Sequence, residues 1–228
     1  MKPPRPASAK TMNRLMDGVR RFREQKFAEH SELFQELATG QNPHTLFIAC
    51  ADSRIVPELI TQTRPGELFV CRNIGNVVPA YGEMLGGVSA VVEFACVELE
   101  VTDIVVCGHS DCGAMRALLE PDSDMMKRMP TVASWLRNAD AARSVVRVTQ
   151  PELSGNALVQ ALVEQNVRTQ LGHLRTHPSV AARLAGGLLR LHGWVYGIGS
   201  GSVSALDGED GRLVPLEETK VSGWRARG

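Results

Sequence analysis

The sequence predicts an α/β fold: a parallel-core β-sheet flanked by helices, with an N-terminal helical arm in front of it. Three observations carry this. Thr45–Cys50, Glu67–Arg72 and Asp103–Gly108 are short, unbroken apolar runs of strand length, the pattern of strands buried on both faces. Stretches with helical periodicity lie between them, and strands alternating with helices give a parallel sheet. Ahead of the first run, Leu15, Val19, Phe22, Phe27, Leu33, Phe34 and Leu37 recur at roughly helical spacing.

Taken in order, residues 1–10 are rich in proline and basic groups, and the arm then reads as amphipathic helix to about residue 40. After the second strand, Val88, Val91, Val92, Ala95 and Leu99 make one apolar stripe between Gly86 and Leu99, a helix leading into the third strand. Residues from about Ser154 to Arg190 are helical in pattern, with Leu158, Leu162, Val163, Val167 and Leu171 apolar and Pro178 starting a further helix. Leu191–Tyr196 is a late strand. Gly197-Ile-Gly199-Ser-Gly201 lacks the helix and acidic residue of a nucleotide loop and reads as turn, as does Gly208–Gly211, and the polar C-terminus reads as mobile. No internal repeat or composition break divides the 228 residues, so one domain is expected over 1–228.

Composition narrows the function. Hydrophobic residues are 43% and charged residues 22%, which suits a globular chain with a real core. Twenty-five Lys and Arg against 25 Asp and Glu leave no net field to draw in nucleic acid or a membrane, so a small-molecule partner is expected. The N-terminus has no apolar run behind its prolines, which reads as neither signal peptide nor membrane span and implies a cytoplasmic location. Five cysteines in such a chain point to thiols or metal ligands rather than a disulfide framework.

The chemistry gathers at two strand ends. Cys50-Ala-Asp52-Ser-Arg54 follows the first strand and His109-Ser-Asp-Cys112 the third, where ligands of an α/β sheet collect. Two thiolates and an imidazole, Cys50, His109 and Cys112, match zinc's preference for sulfur and nitrogen, and three ligands leave one tetrahedral position for water. Arg54 is spaced to hold the Asp52 carboxylate through two parallel hydrogen bonds. Cys71, Cys96 and Cys107 lie in apolar runs and read as core thiols. None of the other histidines has metal-ligand spacing; His44, close in sequence to Cys50, is a candidate proton shuttle.

The spaced set Cys50-x-Asp52-x-Arg54, Arg72-Asn73, Gly87 and Gly108-His109-Ser110-x-Cys112-Gly113 resembles the β-class carbonic anhydrases, and the likeness runs from about Met12 to Trp194-Val-Tyr196. The resemblance implies Zn2+ on Cys50, His109 and Cys112, with reversible hydration of carbon dioxide to bicarbonate by a zinc-bound hydroxide. It implies Asp52 and Arg54 as a catalytic dyad, the arginine keeping the aspartate off the metal; released, Asp52 would become a fourth ligand in a closed state. It places Gln41, Phe69, Ile74, Phe94 and Gly113 at the substrate, with Phe94 reaching in from a partner subunit of a homodimer or tetramer of dimers. Some members close a second bicarbonate site with a tryptophan, an arginine and a late tyrosine; this chain has Phe47, Arg72 and Tyr196, so that site does not carry over. Two alternatives stay open: hydrolysis of carbon disulfide or carbonyl sulfide on the same scaffold, and a zinc-stabilised structural protein with Cys50, Asp52, His109 and Cys112 as closed ligands.

Overall fold

Four strands set the architecture: β1 (Thr45–Cys50), β2 (Leu68–Asn73), β3 (Asp103–His109) and β4 (Arg190–Tyr196), of which β1 and β3 are buried nearly throughout, β2 is mostly half-buried and β4 alternates. In the computed structural model, which describes residues 8–82, 86–207 and 211–219, they lie parallel in the order β2-β1-β3-β4. Two short strands absent from the sequence reading, β5 (Val203–Leu206) and β6 (Leu213–Pro215), extend the sheet antiparallel beyond β4. The glycine-rich segment from Gly197 is the turn between β4 and β5, with Gly201 at φ +74°. Of the turn expected at Gly208–Gly211, only Gly211 is described; residues 1–7 and the C-terminal residues 220–228 also lie outside the described residues.

The chain divides into two compact units, residues 1–41 and 42–228. The first is helical, with Ser8–Arg21 followed by a π-helical turn at Phe22–Lys26 and by Ser31–Leu37. Phe22, Phe27 and Phe34 pack as a ring cluster within it, while Met12, Leu15, Met16 and Val19 are exposed.

In the second unit the main core lies between the sheet and its helices. The long helix Gly155–Thr176 buries Leu162, Val163, Val167, Leu171 and Leu174, each such side chain contributing about 1.5–3 kcal/mol. It can approach closely because β3 and β4 present glycines to it. A Cβ on Gly108 would stand 2.9 Å from Val167, and one on Gly193 2.8 Å from the same side chain. Helices Gly87–Val97 and Pro178–Ala185 complete this side, the second opened by Pro178 as the sequence predicts. On the other face of the sheet a smaller cluster, Phe47, Ala49, Ile55, Val105 and Cys107, packs with Trp194 and with Ile60 of the short helix Pro57–Thr61.

The topology fixes where chemistry can occur. β1 and β3 are parallel neighbours, so their last residues, Cys50 and His109, emerge at the same edge of the sheet. Cys112 follows as the cap of helix Gly113–Leu119.

Candidate metal centre and active site

Cys50, His109 and Cys112 converge in the fold. Their ligand atoms lie within 4.8 Å of one another, and the residues are 5%, 1% and 1% exposed. His109 shows which atom faces the group. Its Nδ1 lies 2.9 Å from the Ser110 carbonyl oxygen, which only accepts, so Nδ1 carries the proton and Nε2 keeps a lone pair. Buried Nε2 has no hydrogen-bond partner among the described residues. An unsatisfied buried nitrogen is costly, and a metal ion is the partner this one fits.

The sulfurs are prepared in the same way. Backbone N–H groups of Gly75 and Asp52 help to lower the Cys50 thiol, and those of Ala114 and Met115 act in the same direction on the Cys112 thiol. Gly75 can do this because it sits at φ +79°, a left-handed conformation, where a Cβ would come within 3.1 Å of Ala114 and Met115. The hydrogen bond between the two thiols holds Cys50 well below the usual thiol range and, with burial, pushes Cys112 up. One negative charge is thus already favoured here; a dication would favour the second.

Asp52 and Arg54 form the expected pair with one bond more than expected. Arg54 Nε donates to Asp52 Oδ1 at 2.9 Å, Nη2 to Oδ2 at 2.8 Å, and the Arg54 backbone N–H to Oδ1 at 3.0 Å. These bonds, outweighing burial, keep the Asp52 carboxyl well below the usual carboxylate range. Asp52 Oδ2 is 4.0 Å from His109 Nε2, so the restrained carboxylate stands beside the ligand cluster.

Arg72 holds the backbone of this segment, a role no local pattern signals. Its Nε donates to the Cys50 carbonyl at 3.2 Å and its Nη2 to the Asp52 carbonyl at 2.7 Å. Ala51 N–H adds a bond to the Asn73 carbonyl at 2.7 Å. Phe47 is buried against Trp194, ring centroids 5.8 Å apart, on the smaller core face.

The other predicted site residues divide into two groups. Ile74 follows Asn73, the register partner of Cys50; it is 42% exposed, and its carbonyl is fixed by Trp135 Nε1 at 2.8 Å. Gly113, next to Cys112, opens its helix. Phe69, by contrast, pairs in register with Leu46, roughly 13 Å up the strand from Cys50 at about 3.3 Å per residue. It packs against Phe94, centroids 5.9 Å apart, with Phe94 itself 44% exposed. Within one chain this pair is not brought to the cluster. Gln41 is exposed at the end of the N-terminal unit.

His44 is a correction. It precedes β1 at the end opposite Cys50, roughly 20 Å away along the strand, and its Nδ1 contacts Thr45 Oγ1 at 2.7 Å. Within one chain it stands too far from this site to take a proton from it directly. His173, His177 and His192 are structural: they bond Val78 O, Pro79 O and Asp103 at 2.8, 3.0 and 2.7 Å. Cys71, Cys96 and Cys107 are buried free thiols, each pushed up by burial, Cys107 to about 12.

Known proteins share both the fold and much of the sequence. The family model described as carbonic anhydrase matches residues 45–203. A carbonic anhydrase of Pseudomonas aeruginosa is 53% identical over 91% of this chain and 93% of its own, and carbonic anhydrase 1 of Escherichia coli O157:H7 is 51% identical over 90% and 92%. The solved β-carbonic anhydrase CcaA superposes with a TM-score of 0.88 at 45% identity, covering 90% of this chain and 92% of that one. The Coccomyxa β-carbonic anhydrase, solved with acetazolamide, gives 0.75 at 30% identity over 88% and 86%. With a zinc-type donor set at the C-terminal edge of β1 and β3 and this breadth of likeness, the chain belongs to the carbonic anhydrase family, in its β class.

Proposed function

We propose that the reversible hydration of carbon dioxide to bicarbonate proceeds here at one zinc ion held by Cys50, His109 and Cys112. The observation that carries this is the buried His109 Nε2, without a hydrogen-bond partner among the described residues, converging with the buried Cys50 and Cys112 sulfurs so that all three ligand atoms lie within 4.8 Å of one another. Two thiolates and a neutral imidazole are a zinc donor set with one tetrahedral position left over. When bound, zinc acts as a Lewis acid that makes a water in that position acidic enough to react near neutral pH.

The chain's own residues do the rest. Asp52, held ionised by Arg54, can only accept hydrogen bonds, so it orients the reacting water by taking one of its protons in a hydrogen bond. Arg54 keeps that carboxylate from swinging onto the metal. Ile74 gives the substrate an apolar wall beside the cluster. Gln41, Gly113, Phe69 and Phe94 belong to the same substrate site in this reading, the Phe69/Phe94 pair serving the site of a second copy because it stands away from Cys50 in its own chain. A homodimer or tetramer of dimers follows, supported by the exposed apolar residues of the N-terminal helix and by a Sordaria macrospora relative described as tetrameric. A reducing, cytoplasmic setting agrees with five free cysteines. No helix among the described residues is long and apolar enough to cross a membrane.

A closed structural zinc site would need Asp52 as its fourth ligand, and the three bonds from Arg54 hold it elsewhere. The test is stopped-flow carbon dioxide hydration with metal analysis of wild type, Cys50→Ser, His109→Ala and Cys112→Ser. About one zinc per wild-type chain is expected, with metal and activity lost together in each variant. Full zinc in all three variants would overturn the assignment. Turnover of carbon disulfide or carbonyl sulfide without carbon dioxide would favour the hydrolase.

A further inference from the structure

Arg54 is gripped from two sides. The edge formed by Nε and one Nη2 proton serves Asp52. The opposite edge serves a residue 57 positions further on: Nη1 donates to Asp111 Oδ2 at 3.3 Å and Nη2 to the Asp111 carbonyl oxygen at 3.2 Å. A guanidinium has five N–H groups in a rigid fork, so the two acidic residues use different protons and do not compete.

Asp111 is itself fixed. Its other carboxylate oxygen accepts from Arg116 Nη2 at 2.8 Å, and the same group donates to Asn156 Oδ1 at 3.1 Å at the start of the long helix. Its backbone stands at φ +53°, a left-handed conformation that aspartate tolerates better than most residues. That twist lies between His109 and Cys112, so the loop carrying two of the proposed ligands also presents an oxygen pair to Arg54. Exposed ion pairs add little stability. Their directional bonds still decide how a flexible arginine is oriented.

We propose that Asp111, aligned by Arg116, is a positioning residue for the hydration reaction: it holds Arg54 from behind, so that Arg54 keeps Asp52 off the metal's fourth position. This rests on the gating role given to Arg54 above.

The experiment uses the full chain loaded with Co2+ in place of zinc, and reads its visible absorption at one neutral pH with cobalt content and hydration kcat. Arg54→Ala is the reference for a carboxylate released onto the metal. Asp111→Gly removes the side chain while glycine accepts the left-handed backbone; Asp111→Asn keeps an oxygen that can accept from Nη1. With cobalt content full throughout, the Asp111→Gly spectrum is expected to move partway toward that of Arg54→Ala, with kcat down about tenfold. Asp111→Asn is expected to return most of both. A wild-type spectrum in Asp111→Gly, beside a changed one in Arg54→Ala, overturns the role of Asp111 alone. So do loss of cobalt in Asp111→Gly, which would mean loop building, and identical behaviour of the Gly and Asn variants. An unchanged spectrum in Arg54→Ala overturns the gating reading itself.

Discussion

Arg72 donates to the carbonyl oxygen of Asp52 at 2.7 Å, and its Nε reaches the Cys50 carbonyl on the other side of Ala51. One guanidinium on β2 therefore fixes both peptide groups that aim a proposed metal ligand and the proposed catalytic carboxylate. Hydrogen bonds from a charged group are worth about 1.5–3 kcal/mol each. A lysine, with a single ammonium and no fork, cannot reproduce both. Arg72→Lys is expected to keep zinc but lose about tenfold in kcat/KM, and Arg72→Ala to lose more, measured by hydration assay with metal analysis. Wild-type rates in both would show that the segment from Cys50 to Asp52 holds its shape unaided.

Far from the site, Asp103 links the starts of β3 and β4. It accepts from Arg190 twice at 2.8 Å, from His192 at 2.7 Å and from Thr102 at 2.8 Å. Burial pushes its carboxyl up, but the hydrogen bonds from His192, Arg190 and Thr102 outweigh it and leave the group well below the usual range. A depressed carboxylate contributes stability that is complete above its unfolded pKa, about 3.9, and is lost as pH falls toward the folded value. Asp103→Asn is therefore expected to be less stable by about 1–2 kcal/mol at pH 7. Its deficit against wild type should shrink in urea melts as pH falls below about 4. A deficit that stays constant with pH would place the loss in packing, not in charge.

Two glycines test the packing of the long helix on the sheet. A Cβ at Gly193 would stand 2.6 Å from Leu206, 2.8 Å from Val167 and 2.9 Å from Leu171, while one at Gly172 on the helix itself meets nothing within 4 Å. Three side chains would have to move at once in a close-packed core, so Gly193→Ala is expected to cost about 1–3 kcal/mol. Gly172→Ala should gain up to about 1 kcal/mol from helix propensity. Thermal melts should move in opposite directions; equal shifts would refute this account of the contact.

The parts of this molecule written in local sequence are those where one segment suffices. β1 and β3 are legible because an unbroken apolar run has no other stable home, and Cys50 and His109 stand at their ends because motif and strand are contiguous. Asp52 and Arg54 are legible because a guanidinium two residues on can reach back to a carboxylate. What stays hidden depends on contacts between distant segments. The resemblance picks out Arg72, but what it holds is hidden until the sheet sets β2 beside β1, and Asp111 reads as a loop residue until its turn faces Arg54. Phe69 and Phe94 are expected at the substrate from the resemblance, yet within one chain the register of β2 places Phe69, and the Phe94 ring against it, away from Cys50. β5 and β6 escape because four and three residues are too few to show alternation. His44 misleads for the opposite reason: a strand separates what six positions of sequence bring near.

The dyad itself gives the sharpest separation of metal binding from turnover. Asp52 stands beside the cluster, with Oδ2 at 4.0 Å from His109 Nε2, and its carboxylate is restrained by three bonds from Arg54. Arg54→Ala removes the two side-chain bonds and leaves a backbone N–H that cannot hold the carboxylate alone. The freed carboxylate then has a tetrahedral metal position to take, a better partner than bulk water for a hard oxygen anion. The variant is expected to keep about one zinc per chain yet fall at least 100-fold in kcat at neutral pH, since reacting water is excluded. Asp52→Asn is expected to keep zinc as well and fail differently. Its amide oxygen is a weaker acceptor and its NH2 group donates, so the position stays open while the water loses its orientation. Exchangeable water on the metal, followed by water-proton relaxation in Co2+-loaded protein, should disappear in Arg54→Ala and persist in Asp52→Asn. Persistence of exchange in Arg54→Ala would end the gating account, whereas its loss in Asp52→Asn would show that the amide itself ligates.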